Sequence, residues 1–135
     1  MKSRSQLEAA DVRRILDAAC AEAQAHRWNV SVAVVDDGGH LLGFSRLDGA
    51  APLSAAISVS KARTSALGRK ESAVYEEMIN QGRASFLSAP LVDGLLEGGV
   101  PVIHDGVVIG AVGVSGVKSS EDAQVARAGV AALAT

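Results

Sequence analysis

The chain has 135 residues, with 13 Lys and Arg set against 15 Asp and Glu, a formal net charge of −2 and a single cysteine, Cys20. That length suits one domain over residues 1–135 with a sizeable core, and the mixed, nearly balanced charge leaves no electrostatic footprint for nucleic acid or an anionic membrane. One cysteine closes no internal disulfide, no apolar run approaches the roughly 18 residues that span a bilayer, and the opening MKSRSQLEAADVRR is too polar for a secretory signal, so a cytoplasmic setting is expected. Aromatics are few, namely Trp28, Phe44, Tyr75 and Phe86. The core must therefore come from Ala, Val, Leu and Ile, with close backbone approaches.

Residues 6–27 predict an amphipathic helix, with Val12, Ile15, Leu16, Ala19, Cys20 and Ala23 at helical spacing. Ser5 with Glu8 three places on predicts a capping box. Residues 29–36 and 40–47 are short β-branched or apolar runs joined by Asp37-Gly38-Gly39, which predicts a hairpin. Pro52 suits the first turn of a helix over 53–68, a segment crowded with Ala and Ser, and Gly68 suits its C-cap. A helix near 71–81 follows, with Val74, Tyr75, Met78 and Ile79 as its apolar face, and residues 83–99 read as mostly irregular.

The runs Val100–Ile103 and Val107–Val114 flank His104-Asp105-Gly106, a strong two-strand hairpin signal. Gly110 and Gly113 inside the second run mark places where another backbone or a ligand comes close. A last helix starts near Ser119 and runs to the terminus, with Glu121 and Asp122 placed to favour its dipole and Val125, Ala128, Gly129, Ala132 and Leu133 on its inner stripe. The order helix, hairpin, two helices, hairpin, helix predicts an α/β (α+β) fold, a three-layer α/β/α arrangement around a central antiparallel sheet of four or five strands.

Five segments carry a resemblance: AVVDDGGHLL at 33–42, RLDGA at 46–50, SKARTSA at 60–66, GGVPV at 98–102 and GVVIGAVGVSG at 106–116. In order and spacing the chain resembles the GlcG/HbpS family of haem-degrading or haem-binding-like small proteins. The resemblance implies a profilin-like fold and a homo-oligomer, from dimer up to octamer. Some members bind haem, one as an extracellular redox sensor and one as a domain fused to a cobalamin adenosyltransferase. Others look like enzymes of aromatic catabolism, such as a lyase acting on hydroxylaminobenzoate. It thus implies a cytosolic oligomeric protein that binds a small molecule, with haem or a related tetrapyrrole as the cofactor in view. The alternative is a lyase or hydrolase acting on a carboxylated aromatic or ring-fission product.

Candidate site residues follow. Lys61 and Thr64 lie three apart on one helix face, where a cation and a hydroxyl can hold a carboxylate, and Arg63 stands beside them. Gly98 and Gly99 offer backbone amides to an anion, and Ser115 ends the neighbouring strand without the G-x-S-x-G setting of an activated nucleophile. These six are the expected ligand wall. In the enzymatic alternative Lys61 or Arg63 holds the substrate carboxylate while Asp36 or His40 moves a proton. No H-x₃-H, C-x-x-C or H-E-x-x-H spacing occurs, so no zinc site is expected, and His40 and His104 are the candidate haem ligands. A third reading makes the Ala/Ser-rich helix 53–68 a subunit interface.

Overall fold

The computed structural model describes residues 1–133. In chain order they form α1 (Ala9–Ala25), β1 (Ser31–Asp36), β2 (Leu41–Arg46), α2 (Pro52–Gly68), α3 (Ser72–Asn80), a 3₁₀ turn (Ala84–Ser88), β3 (Gly99–His104), β4 (Val107–Ser115) and α4 (Ser119–Ala131). The strands make one antiparallel sheet in the order β2-β1-β4-β3. Helices α1 and α4 cover one face and α2 the other, the three layers expected from the two hairpins.

Turn chemistry sets both hairpins. Asp105 and Gly106 take φ of +50° and +75°, the paired left-handed conformation of a two-residue loop whose twist matches its strands. In the β1–β2 turn one oxygen of Asp36 accepts the N–H groups of Gly38 and His40, both at 2.9 Å, and Gly39 takes φ +83°.

The sheet's two faces have different chemistry. Val32 and Val34 of β1, with Val112 and Val114 of β4, pack against Ile15 of α1 and Val125 of α4, all fully buried. Under α2 the side chains shrink to Ala33, Ala62, Ala66 and Ala111 beside Val35. Small residues let α2 lie close. A Cβ on Gly113 would stand 2.5 Å from the amide nitrogen of Ala62 and closer still to the carbonyl oxygen of Ser58, both backbone atoms of α2. The glycine inside β4 is therefore a close approach of two backbones, as its position predicts.

Some local expectations need correction. The first helix starts at Ala9, and the box at its start is built on Glu8: its N–H donates to Asp11 Oδ2 at 2.8 Å, a role expected of Ser5 with Glu8. Helix α2 continues through Gly68, and Arg69 takes the left-handed position at φ +61°. Gly68 is small because a Cβ there would run into the Tyr75 ring and hydroxyl. In α3, Tyr75 is buried but Val74 is exposed, and Ser72 lies inside instead, donating to the Leu96 carbonyl at 2.6 Å and accepting the Gly99 N–H at 2.8 Å. The last helix stops at Ala131, short of the terminus expected, with Ala132 and Leu133 in a turn, and residues 134–135 lie outside those described.

Candidate functional site

Four of the predicted site residues meet at one buried seam. Lys61 is 3% exposed, and its Nζ donates to the Val114 carbonyl at 2.9 Å and to Asp122 Oδ2 at 3.1 Å. The other Asp122 oxygen accepts the Val117 N–H at 3.1 Å. Gly98, at φ +136°, passes over the ammonium: a Cβ there would lie 2.7 Å from Nζ. Gly99 sits on the Lys61 carbonyl, and Ser115 is buried at the end of β4, paired in register with Ser31. Together they tie α2, α4 and β4 to one another. Burial pushes the Asp122 carboxyl above the ordinary aspartate value, with the Lys61 charge pulling it down. Sequence reasoning missed Asp122 as a partner, because a carboxylate in a first helical turn looks like a dipole residue.

Thr64 is fully buried, and its Oγ1 has no hydrogen-bond partner among the described residues. A buried hydroxyl left unbonded costs stability. Thr64→Val is therefore expected to raise stability by about 1 kcal/mol, seen as a higher Tm, with ligand affinity unchanged. A lower Tm together with lost binding would return Thr64 to the ligand wall.

Arg63, on the outer side of α2, meets a different surface. A cavity of about 450 Å³ lies between α2 and the segment leading into β3, lined by Arg63, Leu87, Leu91, Val92, Asp93 and Leu95. Its walls combine leucine and valine side chains with the half-buried Arg63 guanidinium and the exposed Asp93 carboxylate. The β1–β2 turn abuts the same arginine, since a Cβ on Gly39 would sit 3.6 Å from Arg63 Cγ and 3.5 Å from Leu67 Cγ. That turn carries Asp36 and His40, with His40 Nδ1 at 3.2 Å from Asp36 Oδ1 and the imidazole largely exposed. Burial pushes the Asp36 carboxyl up, but the N–H donors of His40 and Gly38 and the His40 ring outweigh it and hold the group below the ordinary aspartate value. The structure thus brings Arg63, Asp36 and His40 toward one end of α2, and Lys61, Gly98, Gly99 and Ser115 to a separate buried seam. His104 is elsewhere, at the exposed β3–β4 tip, where it shares a polar cleft of about 430 Å³ with Arg4, Ser5 and Asp105. The lining leucines were not found from sequence because an irregular segment has no periodicity. Three leucines and a valine between Leu87 and Leu95 were the signal available.

Among the described residues no group of three or more His, Cys, Asp or Glu side chains could hold a metal ion, and no helix is long and apolar enough to cross a membrane. Comparison with known proteins agrees with the motifs. The family model described as "Haem degrading protein HbpS-like" matches residues 7–131. Protein GlcG of Escherichia coli is 56% identical over 115 residues, 85% of each chain. A crystal structure of a double mutant of Streptomyces reticuli HbpS superposes with a TM-score of 0.90 at 30% identity, covering 98% of this chain and 90% of that one. The crystal structure of a PduOC–haem complex superposes with a TM-score of 0.84 at 25% identity over 96% of both chains. By motif order, family match and fold, this chain belongs to the HbpS-like family, together with GlcG.

Proposed function

We propose that this protein binds haem, or a tetrapyrrole of the same chemistry, in the cleft beside Arg63, as part of a homo-oligomer in the cytoplasm. The observation that carries the reading is the cavity of about 450 Å³ in which leucine and valine side chains stand beside one cation, Arg63, and one carboxylate, Asp93, a volume within the usual range of small-molecule sites. Leucine and valine side chains suit the faces of a macrocycle, and a guanidinium suits a propionate. A candidate donor, His40, stands on the turn that abuts Arg63, outside the residues that line the cavity. Asp36 holds the Nδ1 side of His40 and so favours a tautomer with a free Nε2, the carboxylate–histidine arrangement that orients a metal-ligating imidazole. Haem there would supply an iron centre. The chain's own residues would hold the imidazole, pair the propionate and shield the ring. A haem complex of PduOC and the family's description support the same reading. The lyase or hydrolase alternative draws less support, because the Asp36 oxygen is committed to the turn.

Titration with hemin, followed by visible spectroscopy, tests this. The expected result is a sharp Soret band that saturates at a fixed haem-to-subunit ratio. Arg63→Ala should weaken binding about tenfold, as for loss of one charge-assisted hydrogen bond, and His40→Ala should shift the band. A broad, unsaturating spectrum that is the same in both variants would overturn the proposal.

A further inference from the structure

A second cleft, of about 320 Å³, lies between the end of α1 and the end of β2. It shares no residue with the cavity beside Arg63, and its volume is at the lower end of the range for small-molecule sites. Three charged residues line it: Arg27 just past α1, Arg46 at the end of β2, and Asp48 in the turn that follows. All three are exposed, and among the described residues none of them makes an ion pair or a side-chain hydrogen bond. Two exposed arginines elsewhere are paired, Arg4 with Asp37 and Arg127 with Glu71, both at 2.7 Å. In the cleft, opposite charges share a wall and leave one another free.

The rest of the wall is held firmly. Trp28 and Leu47 are half-buried against the core. The His26 imidazole stacks on the Trp28 ring at 4.3 Å, and His26 Nε2 lies 3.1 Å from Glu22 Oε2. Gln124 of α4 donates to the same Glu22 oxygen at 2.8 Å. Asn29 adds an amide to the cleft, and Gly49 makes room for it, since a Cβ there would lie 2.9 Å from Asn29 Nδ2. Arg27 holds φ +59°, in the left-handed position that glycine ordinarily fills after a helix. Strain of this kind clusters at binding sites. Arg46 ends an edge strand, where no further strand confines its side chain.

Two cations and one anion, left apart beside an apolar wall, match a molecule that carries both charges. We propose that this cleft binds a small zwitterion of the α-amino acid class with an apolar side chain. The Arg27 and Arg46 guanidiniums take its carboxylate through charge-assisted hydrogen bonds. The Asp48 carboxylate takes its ammonium, and Trp28 and Leu47 take its side chain. A simple anion meets Asp48 as a like charge, and a simple amine meets two guanidiniums, so the mixed wall selects against both. This site stands apart from the haem reading above.

Trp28 is the only tryptophan in the chain, so its emission reports on this cleft. L-phenylalanine is the probe, with hydrocinnamate and phenethylamine as counterparts that lack the ammonium and the carboxylate. Calorimetry beside the fluorescence titration registers any binding that leaves the emission unchanged. L-phenylalanine should bind saturably, at least about tenfold tighter than either counterpart. Arg27→Gln and Arg46→Gln should each weaken it about tenfold, with circular dichroism unchanged. Asp48→Asn should weaken L-phenylalanine about tenfold and leave hydrocinnamate bound at least as well as before. Absence of saturable L-phenylalanine binding by both methods overturns the proposal. So does hydrocinnamate binding as tightly as L-phenylalanine, or full affinity retained in either arginine variant. Equal losses of both ligands in Asp48→Asn overturn the pairing of the ammonium with Asp48.

Discussion

Lys61→Met is expected to destabilise the fold by about 3–5 kcal/mol at neutral pH, a large part of the roughly 5–15 kcal/mol that holds a domain together. The methylene stem is retained, so the loss comes from Asp122, left as a buried carboxylate without its cation. Without Lys61 pulling it down, the folded value of that carboxyl rises further above the unfolded one. A raised folded value means that the folded protein holds the proton more tightly. The stabilisation from that proton is complete below the unfolded value and is lost as pH rises through the folded value. The variant's deficit should therefore be smallest in acid and largest at neutral pH. Adding Asp122→Leu should recover most of it, because an apolar pair replaces a buried ion pair at little net cost, leaving the Val117 N–H without its acceptor. Urea unfolding of wild type, single and double variants across pH measures all of this. A single variant within about 1 kcal/mol of wild type would mean that Lys61 makes no buried pair worth its own desolvation.

Gly113→Ala should cost about 3 kcal/mol, or about 10 °C in Tm. The new methyl group meets backbone atoms of Ser58 and Ala62, which cannot rotate away, so α2 must lift from the sheet. The control is Gly106→Ala, where nothing lies within 4 Å of the new carbon and only φ +75° resists. That variant should lose about 1 kcal/mol. Equal losses at the two sites would show that α2 gives way at Gly113 with little cost and that the close approach there does not require glycine.

The difference between these glycines also shows what the sequence reveals. Asp105-Gly106 was legible because turn chemistry is local, and Gly113 was legible because a glycine in a β-branched run has few other reasons to be there. Gly68 was misread because a packing glycine at a helix end looks the same as a capping one; the Tyr75 ring that excludes a side chain is brought in by the next helix. The layers followed from the order of elements. The candidate site was legible only in part. The SKARTSA segment holds both Lys61 and Arg63, two residues apart, yet one points into the fold and the other into a cavity. Which is which depends on Asp122, 61 positions later, and on a leucine-bearing segment with no period of its own.

The sheet is two local hairpins joined along one line. In the β1–β4 pairing, which runs from Ser31 with Ser115 to Asp36 with Gly110, partners lie about 80 positions apart, a separation whose closure entropy must be met before any of its contacts form. Each hairpin can assemble in about 1–10 μs, long before that line zips. The order of folding events is therefore built into the strand order: halves first, then their joining, with α2 settling over the line as it closes. Substitutions along that line, at Val34 or Val112, should accordingly speed unfolding more than they slow folding.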